Sequence, residues 1–350
     1  MKKVIAPVLA AVLCAAMLAG CGSSAPASSA PAASGSSAAS DAPKYEKLTL
    51  TMAVNGTDTQ VDSRVANHFK ELVEAETDGA ITIEDFPNDQ LAGGSSSKGV
   101  EMVADGSTDI AAYATVALSV LDPKLGIALV PWTFSSYTQA REIIDATGLD
   151  FYNSVLNEYG LTAVGSFHNG FRQLSNNVRP VTTPDDLKGL KIRGPGGEIY
   201  MSFFKEFGAD PTNMNWGEVF TALQQGTIDG QENGVSVTST SGVLEVQDYV
   251  TIWNYSYEND LVVFNSALWD TLSADTQAML TEKAVEACNW GRDIVEAEHD
   301  QLIEDFRAKG VQVDVLTEEQ IDAFKSRVTD FCQGFYEKYG EEACKAFEIK

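Results

Sequence analysis

The run YVTIWNYSYENDLVVFN at residues 249–265 constrains the fold more than any other stretch. It is rich in β-branched and aromatic residues, and it runs about three times the roughly 5–6 residues of an ordinary strand. A segment that long is read as a strand crossing between two α/β units. The flanking pattern agrees. KLTLTMAV (47–54) and AITIEDF (80–86) are strand-like and enclose a helical stripe of Val61, Val65, Phe69, Leu72 and Val73. TDIAAYAT (108–115) and LTAVGSFHN (161–169) read as further strands, with helices near 137–146 and 149–159 between them. After Gly170 the pattern restarts. FRQLSNN (171–177) is extended, TPDDLKG (183–189) is a one-turn helix, LKIRG is a strand, and helices at 197–208 and 216–226 close on glycine. TIDGQENG (227–234) follows as strand and loop, and the remainder is helical over 274–310 and 317–340. A capping box opens the last helix at Thr317 and Gln320. The predicted class is α/β: two lobes joined by crossing strands, long C-terminal helices packed across them, and a cleft of the kind that holds small ligands.

The first 43 residues stand apart. Residues 1–21 join a basic start at Lys2 and Lys3 to a short apolar run ending in Leu-Ala-Gly-Cys, which reads as an export signal. Residues 22–43 contain only Ser, Ala, Pro, Gly and one Asp, the composition of a flexible tether. The folded chain is expected as 44–169 plus 258–298 in lobe I and 170–257 plus 299–350 in lobe II.

Arg193 closes the strand LKIRG and is followed at once by Gly194 and Pro195, a setting that fixes its position. The chain carries 24 Lys+Arg against 50 Asp+Glu, a formal charge of −26 that becomes −28 without Lys2 and Lys3. Such a body repels nucleic acid and anionic membrane surfaces, so an anion site must be built from local cations. His68, His168 and His299 lack ligand spacing, so no metal or other cofactor is expected. Cys288, Cys332 and Cys344 form no disulfide framework; they read as small apolar residues of helix faces, with one bridge left open.

Four segments in order, GFRQLSNN, TPDDLKGLKIRGP, GADPTNMNWGEVFTALQQGTIDGQENG and LEVQDYV, resemble the DctP-type substrate-binding proteins of TRAP transporters. FPNDQLAGGSSSKGVEMVADGSTDIA and ALVPWTFSSYTQA extend the resemblance, which spans about Leu48 to Ala308. It implies a bilobed periplasmic-binding-protein-like fold and a non-catalytic receptor for an organic acid. Its partners are then integral membrane permease subunits, and a monomer is expected. By the same resemblance Arg193 grips the substrate carboxylate, with Arg172, Asn233, Trp216 and Asn55 completing the site. A guanidinium suits that task because it offers two parallel N–H donors to two oxygens. Phe171 and Trp132 are expected to pack rather than touch substrate. Leu18-Ala19-Gly20-Cys21 resembles the lipobox of bacterial lipoproteins, which implies acylation of Cys21 and an extracytoplasmic, lipid-anchored protein.

Departures from the pattern fall beside the cleft. Gly194 replaces the usual Val and Gly234 the usual Pro, while GGSSSK supplies hydroxyls and Lys98 where relatives often carry other charges. Ser95 to Lys98 formally matches SxxK, but no KTG follows and the match is read as falling in a Gly/Ser loop rather than at a helix start. No nucleophile elbow or phosphate loop is present, so the chain is read as a binding protein and not an enzyme. A receptor serving a sensor kinase or chemoreceptor is the alternative to one serving a permease.

Overall fold

The structure, a computed structural model, describes residues 44–349. The segments read as export signal and tether, with Cys21 between them, lie outside the described residues. Among the described residues nine strands form one sheet: β1 (Leu48–Val54), β2 (Ile81–Phe86), β3 (Ile110–Ala114), β4 (Leu161–Asn176), β5 (Lys191–Gly194), β6 (Asp210–Asn213), β7 (Gly230–Gly234), β8 (Tyr249–Asn265) and β9 (Gln312–Val315). Their order is β2-β1-β3-β8-β4-β7-β5-β6, with β9 paired to β8. Two antiparallel strands, β4 and β8, form the spine. The end of β8 carries β3 through pairs such as Ala112 with Val262, and the end of β4 carries β7 through pairs such as Gln173 with Asn233. Each end thus supports its own parallel group, β1–β3 on one side and β5–β7 on the other. This is the bilobed α/β fold, with a shared pair of strands at its centre.

β8 covers the whole of 249–265 as one strand. β4 differs from the sequence reading, which divided it at Gly170; the ladder continues through a bulge between His168 and Gly170. Gly170 has φ of +116°, which a side chain would resist, so the glycine bends the strand without ending it. β6 and β9 were not anticipated. β6 contains Pro211, and Pro is tolerated there because the strand lies at the sheet edge. The C-terminal helix breaks at Val328 into Glu318–Arg327 and Thr329–Tyr339. The capping box at Thr317 and Gln320 is present.

The two largest cores lie against the spine. Met52, Val54, Phe69, Val262, Phe264 and Ala287 form one. Trp253, Tyr255, Phe203 and Phe324 belong to the other, where Trp132 packs edge-on to Phe203 and Trp253. Phe171 packs on Tyr137 and Tyr257, as expected of a packing residue. The helix Ala274–Ala308 lies against the helix Val61–Glu76, against β4, and further along against the helix Val235–Thr240.

Beside the bend of β4, His168 is fully buried. Its Nδ1 lies 2.6 Å from the Tyr257 hydroxyl and its Nε2 3.2 Å from Glu296 Oε1. A carboxylate only accepts, so Nε2 carries the proton and Nδ1 accepts from Tyr257. Burial, reinforced by Arg292 and Arg141, pushes the imidazole down to about 3, outweighing Glu296, which Arg141 also approaches. The unfolded chain therefore binds this proton from about pH 6.5 downward while the native state does not. Stability is lost as pH falls through that window, with a slope of at most about 1.4 kcal/mol per pH unit. Melting curves between pH 7 and 5 should show a shallower acid decline for His168→Gln than for the parent. Parallel curves would contradict this assignment.

Candidate functional site

A cavity of about 340 Å³ opens between the two strand groups. Asn55, Arg172, Arg193, Trp216 and Asn233 all line it. Five residues separated by up to 178 positions in sequence (55 to 233) thus meet in one place.

Arg193 is held at the end of β5 and is 3% exposed. Its Nε and Nη2 donate to the Met214 carbonyl at 2.9 and 2.8 Å. That anchorage fixes the plane of the guanidinium and leaves Nη1 and one Nη2 proton without a protein partner among the described residues. The Trp216 ring, at the first turn of the helix Trp216–Gln224, lies 5.2 Å from the guanidinium carbon. Burial pushes the Arg193 pKa down to about 10, so it stays charged at neutral pH.

Arg172, on β4, is differently placed. Nε and Nη2 donate to the Glu232 carboxylate, Nη2 also to the Glu232 carbonyl at 2.8 Å, and Nη1 to Glu258. Four of its five N–H groups are thereby engaged, leaving one for the cavity. Burial alone would lower its pKa, but the two carboxylates hold it well above the usual guanidinium value. Tyr255 donates a further bond to Glu232 at 2.6 Å. Asn233 accepts from the Gly234 amide through Oδ1 at 2.9 Å, which turns its amide nitrogen the other way. Asn55 donates from Nδ2 to Asp89 and Ser96 at 3.0 and 2.9 Å.

Several lining residues were not singled out from sequence. Glu258 lines the cavity and Asp260, fully buried, stands two positions further along β8; they are the two acids of a strand otherwise made of apolar, aromatic and uncharged polar residues, and that was the available signal. Burial raises the pKa of both carboxyl groups. Gln60 and Asp62, at the start of the helix Val61–Glu76, look like ordinary helix-start residues in sequence yet are 2% and 4% exposed beside the cavity. The Gly/Ser segment also differs from its sequence reading. Ser95 caps the helix Ser96–Ala104, so Ser96 to Lys98 form its first turn rather than a loop. Ser96 and Ser97 face the cavity; Lys98 is exposed and does not line it. Gly234 permits a close approach, because a β-carbon there would meet the Asn169 carbonyl.

Among the described residues no cluster of three or more His, Cys, Asp or Glu is placed to hold a metal ion. Cys288, Cys332 and Cys344 are free. No helix of the described residues is long and apolar enough to cross a membrane.

The family model for DctP, bacterial extracellular solute-binding protein, family 7, matches residues 52–339. The chain belongs to this family. As a DctP-family protein it is a TRAP-type extracytoplasmic solute-binding protein, not an enzyme. It is 32% identical over 276 residues to the 2,3-diketo-L-gulonate-binding periplasmic protein YiaO of Escherichia coli, covering 78% of this chain and 84% of that one. A TRAP periplasmic solute-binding protein from Ralstonia eutropha with bound (S)-2-acetolactate superposes with a TM-score of 0.83 at 25% identity, covering 86% and 98% of the two chains. The sugar acid-binding protein DctPAm from Advenella mimigardefordensis, in complex with galactonate, gives a TM-score of 0.82 at 25% identity, covering 87% and 98%.

Proposed function

We propose that this DctP-family receptor captures the carboxylate of its cargo on Arg193, closes its lobes over it, and delivers it to a TRAP-type membrane permease. One observation carries the assignment of the clamp. Arg193 is buried, oriented by the Met214 carbonyl, and keeps an unoccupied donor edge toward the cavity. Arg172 contributes charge and one N–H from behind its own carboxylates, while Asn233, Trp216 and Asn55 complete the walls. Closure matters because removing water strengthens a charged pair. The lobes are taken as 44–169 plus 258–298 and 170–257 plus 299–350, meeting along β4 and β8, and the receptor is taken to act as a monomer.

The test is a thermal-shift screen against monocarboxylates, dicarboxylates, keto acids, sugar acids and sialic acids, with Arg193→Ala alongside. A stabilising acid that acts on the parent and not on Arg193→Ala supports the clamp. Stabilisation that survives the substitution defeats it.

Acylation at Cys21 would hold the receptor at the membrane surface through the 22–43 tether. Cys21→Ser is then expected to move the protein from the membrane pellet to the soluble fraction on cell fractionation. A soluble parent, or a variant that stays in the pellet, would contradict the anchor.

A further inference from the structure

For a site that takes an anion, the cavity holds too many acids. Its buried cations are Arg172 and Arg193. Five carboxyl groups surround them, none more than 4% exposed: Asp62 and Glu258 in the wall, and Asp89, Glu232 and Asp260 behind it. With two guanidiniums against five carboxylates, full ionisation gives the cluster a net charge of −3, and a monocarboxylate cargo would make it −4. Glu198, at the rim, is exposed and bonded to Lys338, so it stands outside this count.

The two cations do not reach most of the acids. Arg172 is engaged by Glu232 and Glu258, and Arg193 by the Met214 carbonyl, so Asp62, Asp89 and Asp260 have no salt bridge among the described residues. Arg64, two positions beyond Asp62, is bonded to Glu298. Hydrogen bonding leaves the acids incomplete as well. Asp62 accepts one amide on each oxygen, from Gly56 and Ser63, and Gly56 permits this approach because a β-carbon there would meet the carboxylate. Asp89 accepts from Asn55 and Ser96 through one oxygen, and the other has no partner among the described residues. Both oxygens of Asp260 and Oε1 of Glu258 are likewise unmatched, although Asn169 of β4 and the Val116 amide approach them.

The groups facing these acids from neighbouring elements add little positive charge. Asp62 faces Asp89 from the segment after β2, Asp260 from β8 and Tyr113 from β3. Asp260 faces Asp62, Glu258, Arg172, Tyr257 and, on the helix Ala274–Ala308, Cys288. Glu258 faces Arg172, Arg193, Glu232, Tyr152 and Tyr200. In a cleft open to water, solvent screens such repulsion. Closure expels the water and adds an anion, and a buried carboxylate without a cation then binds a proton. Burial, with Asp62 and Glu258 nearby, holds Asp260 well above the carboxylate range, so it keeps its proton with or without cargo. Asp62 is in the wall itself, and burial raises it to about 7.

We propose that Asp62 is a proton-binding site of the receptor, and that each cargo anion is captured together with about one proton, which neutralises Asp62 as the lobes close. This rests on the receptor reading above. By linkage, cargo and proton strengthen each other's binding by the same factor. Affinity is therefore level below about pH 7, where Asp62 is already neutral, and falls by up to about tenfold per pH unit above it. The cargo's own ionisation would give the opposite trend.

Calorimetric titration of the full-length receptor with pyruvate, succinate, D-galactonate and D-glucuronate tests this, at pH 7.5 in phosphate, HEPES and Tris. The dependence of the observed heat on the buffer's ionisation enthalpy counts the protons taken up. An acid that binds should bring about 0.5–1 proton with it and lose about 5- to 10-fold in affinity between pH 6.5 and 8.5. Asp62→Asn, a permanently neutral side chain, should take up no proton and bind equally at both pH values. Carboxyl carbon NMR of the aspartate-labelled parent gives a second reading that needs no variant. One aspartate should titrate near pH 7 without cargo and higher with it. Zero uptake, affinity that rises with pH, uptake that survives Asp62→Asn, or no aspartate titrating between pH 6 and 8 would each overturn the proposal. Those outcomes leave the receptor reading standing where Arg193→Ala abolishes the binding. Binding indifferent to Arg193→Ala, or none by any of the acids, removes the clamp and this proposal with it.

Discussion

Arg193→Ala is expected to weaken binding of the cargo carboxylate about 10- to 1000-fold, since each charge-assisted hydrogen bond contributes roughly 1.5–3 kcal/mol. Arg193→Lys should be nearly as damaging. An ammonium can reach the Met214 carbonyl or the cargo, but it cannot hold one while presenting a planar pair of donors to the other. The ligand-free protein should lose little stability, because Arg193 has no carboxylate within salt-bridge distance among the described residues and its charge is costly to bury. Calorimetry and melting curves on the same variant separate the two effects. Unchanged affinity in either variant would refute the assignment.

Arg172→Ala should produce the opposite profile, a large loss of stability. It would strand Glu232 and Glu258, both within 1% of complete burial, without their cation. Removing one partner from a buried ion pair costs roughly 3–5 kcal/mol. For a folded body of this size that corresponds to a fall of about 5–8 °C in Tm. The pH dependence gives a sharper signature. Burial already raises the Glu258 pKa against the opposing charge of Arg172, so without the guanidinium this carboxyl takes up a proton in the folded state more readily than in the unfolded chain, and the variant should be relatively more stable at pH 5 than at pH 8. Adding Glu258→Gln should restore part of the loss. A small, pH-independent change would show that the network is not what holds the spine here.

The contrast between the two arginines marks where sequence was sufficient and where it was not. The position of Arg193 was legible because a strand end followed by Gly-Pro fixes a side chain locally, and it is buried at the end of β5; its reading as a clamp came from the family resemblance rather than from that spacing. Arg172 looked equivalent in sequence. Its saturation depends on Glu232 and Glu258, which come from two other strands, and no local pattern reveals such a convergence. The same limit hid Gln60 and Asp62, whose burial follows from the close approach of Gly56. The overlong β8 was readable from its length. Its partner β4 was not, because Gly170 reads as a terminator in sequence and acts as a bend in the sheet.

β4 and β8 each contribute to both halves of the molecule, with their ladders running through the junction. Neither half is therefore a module that recombination can exchange. A chimaera joining one half to that of a relative would cut two strands in mid-ladder and set foreign bulges against native ones. New ligand preferences in such a scaffold must accumulate by single substitutions along the walls, and a designer retargeting it for sensing faces the same restriction.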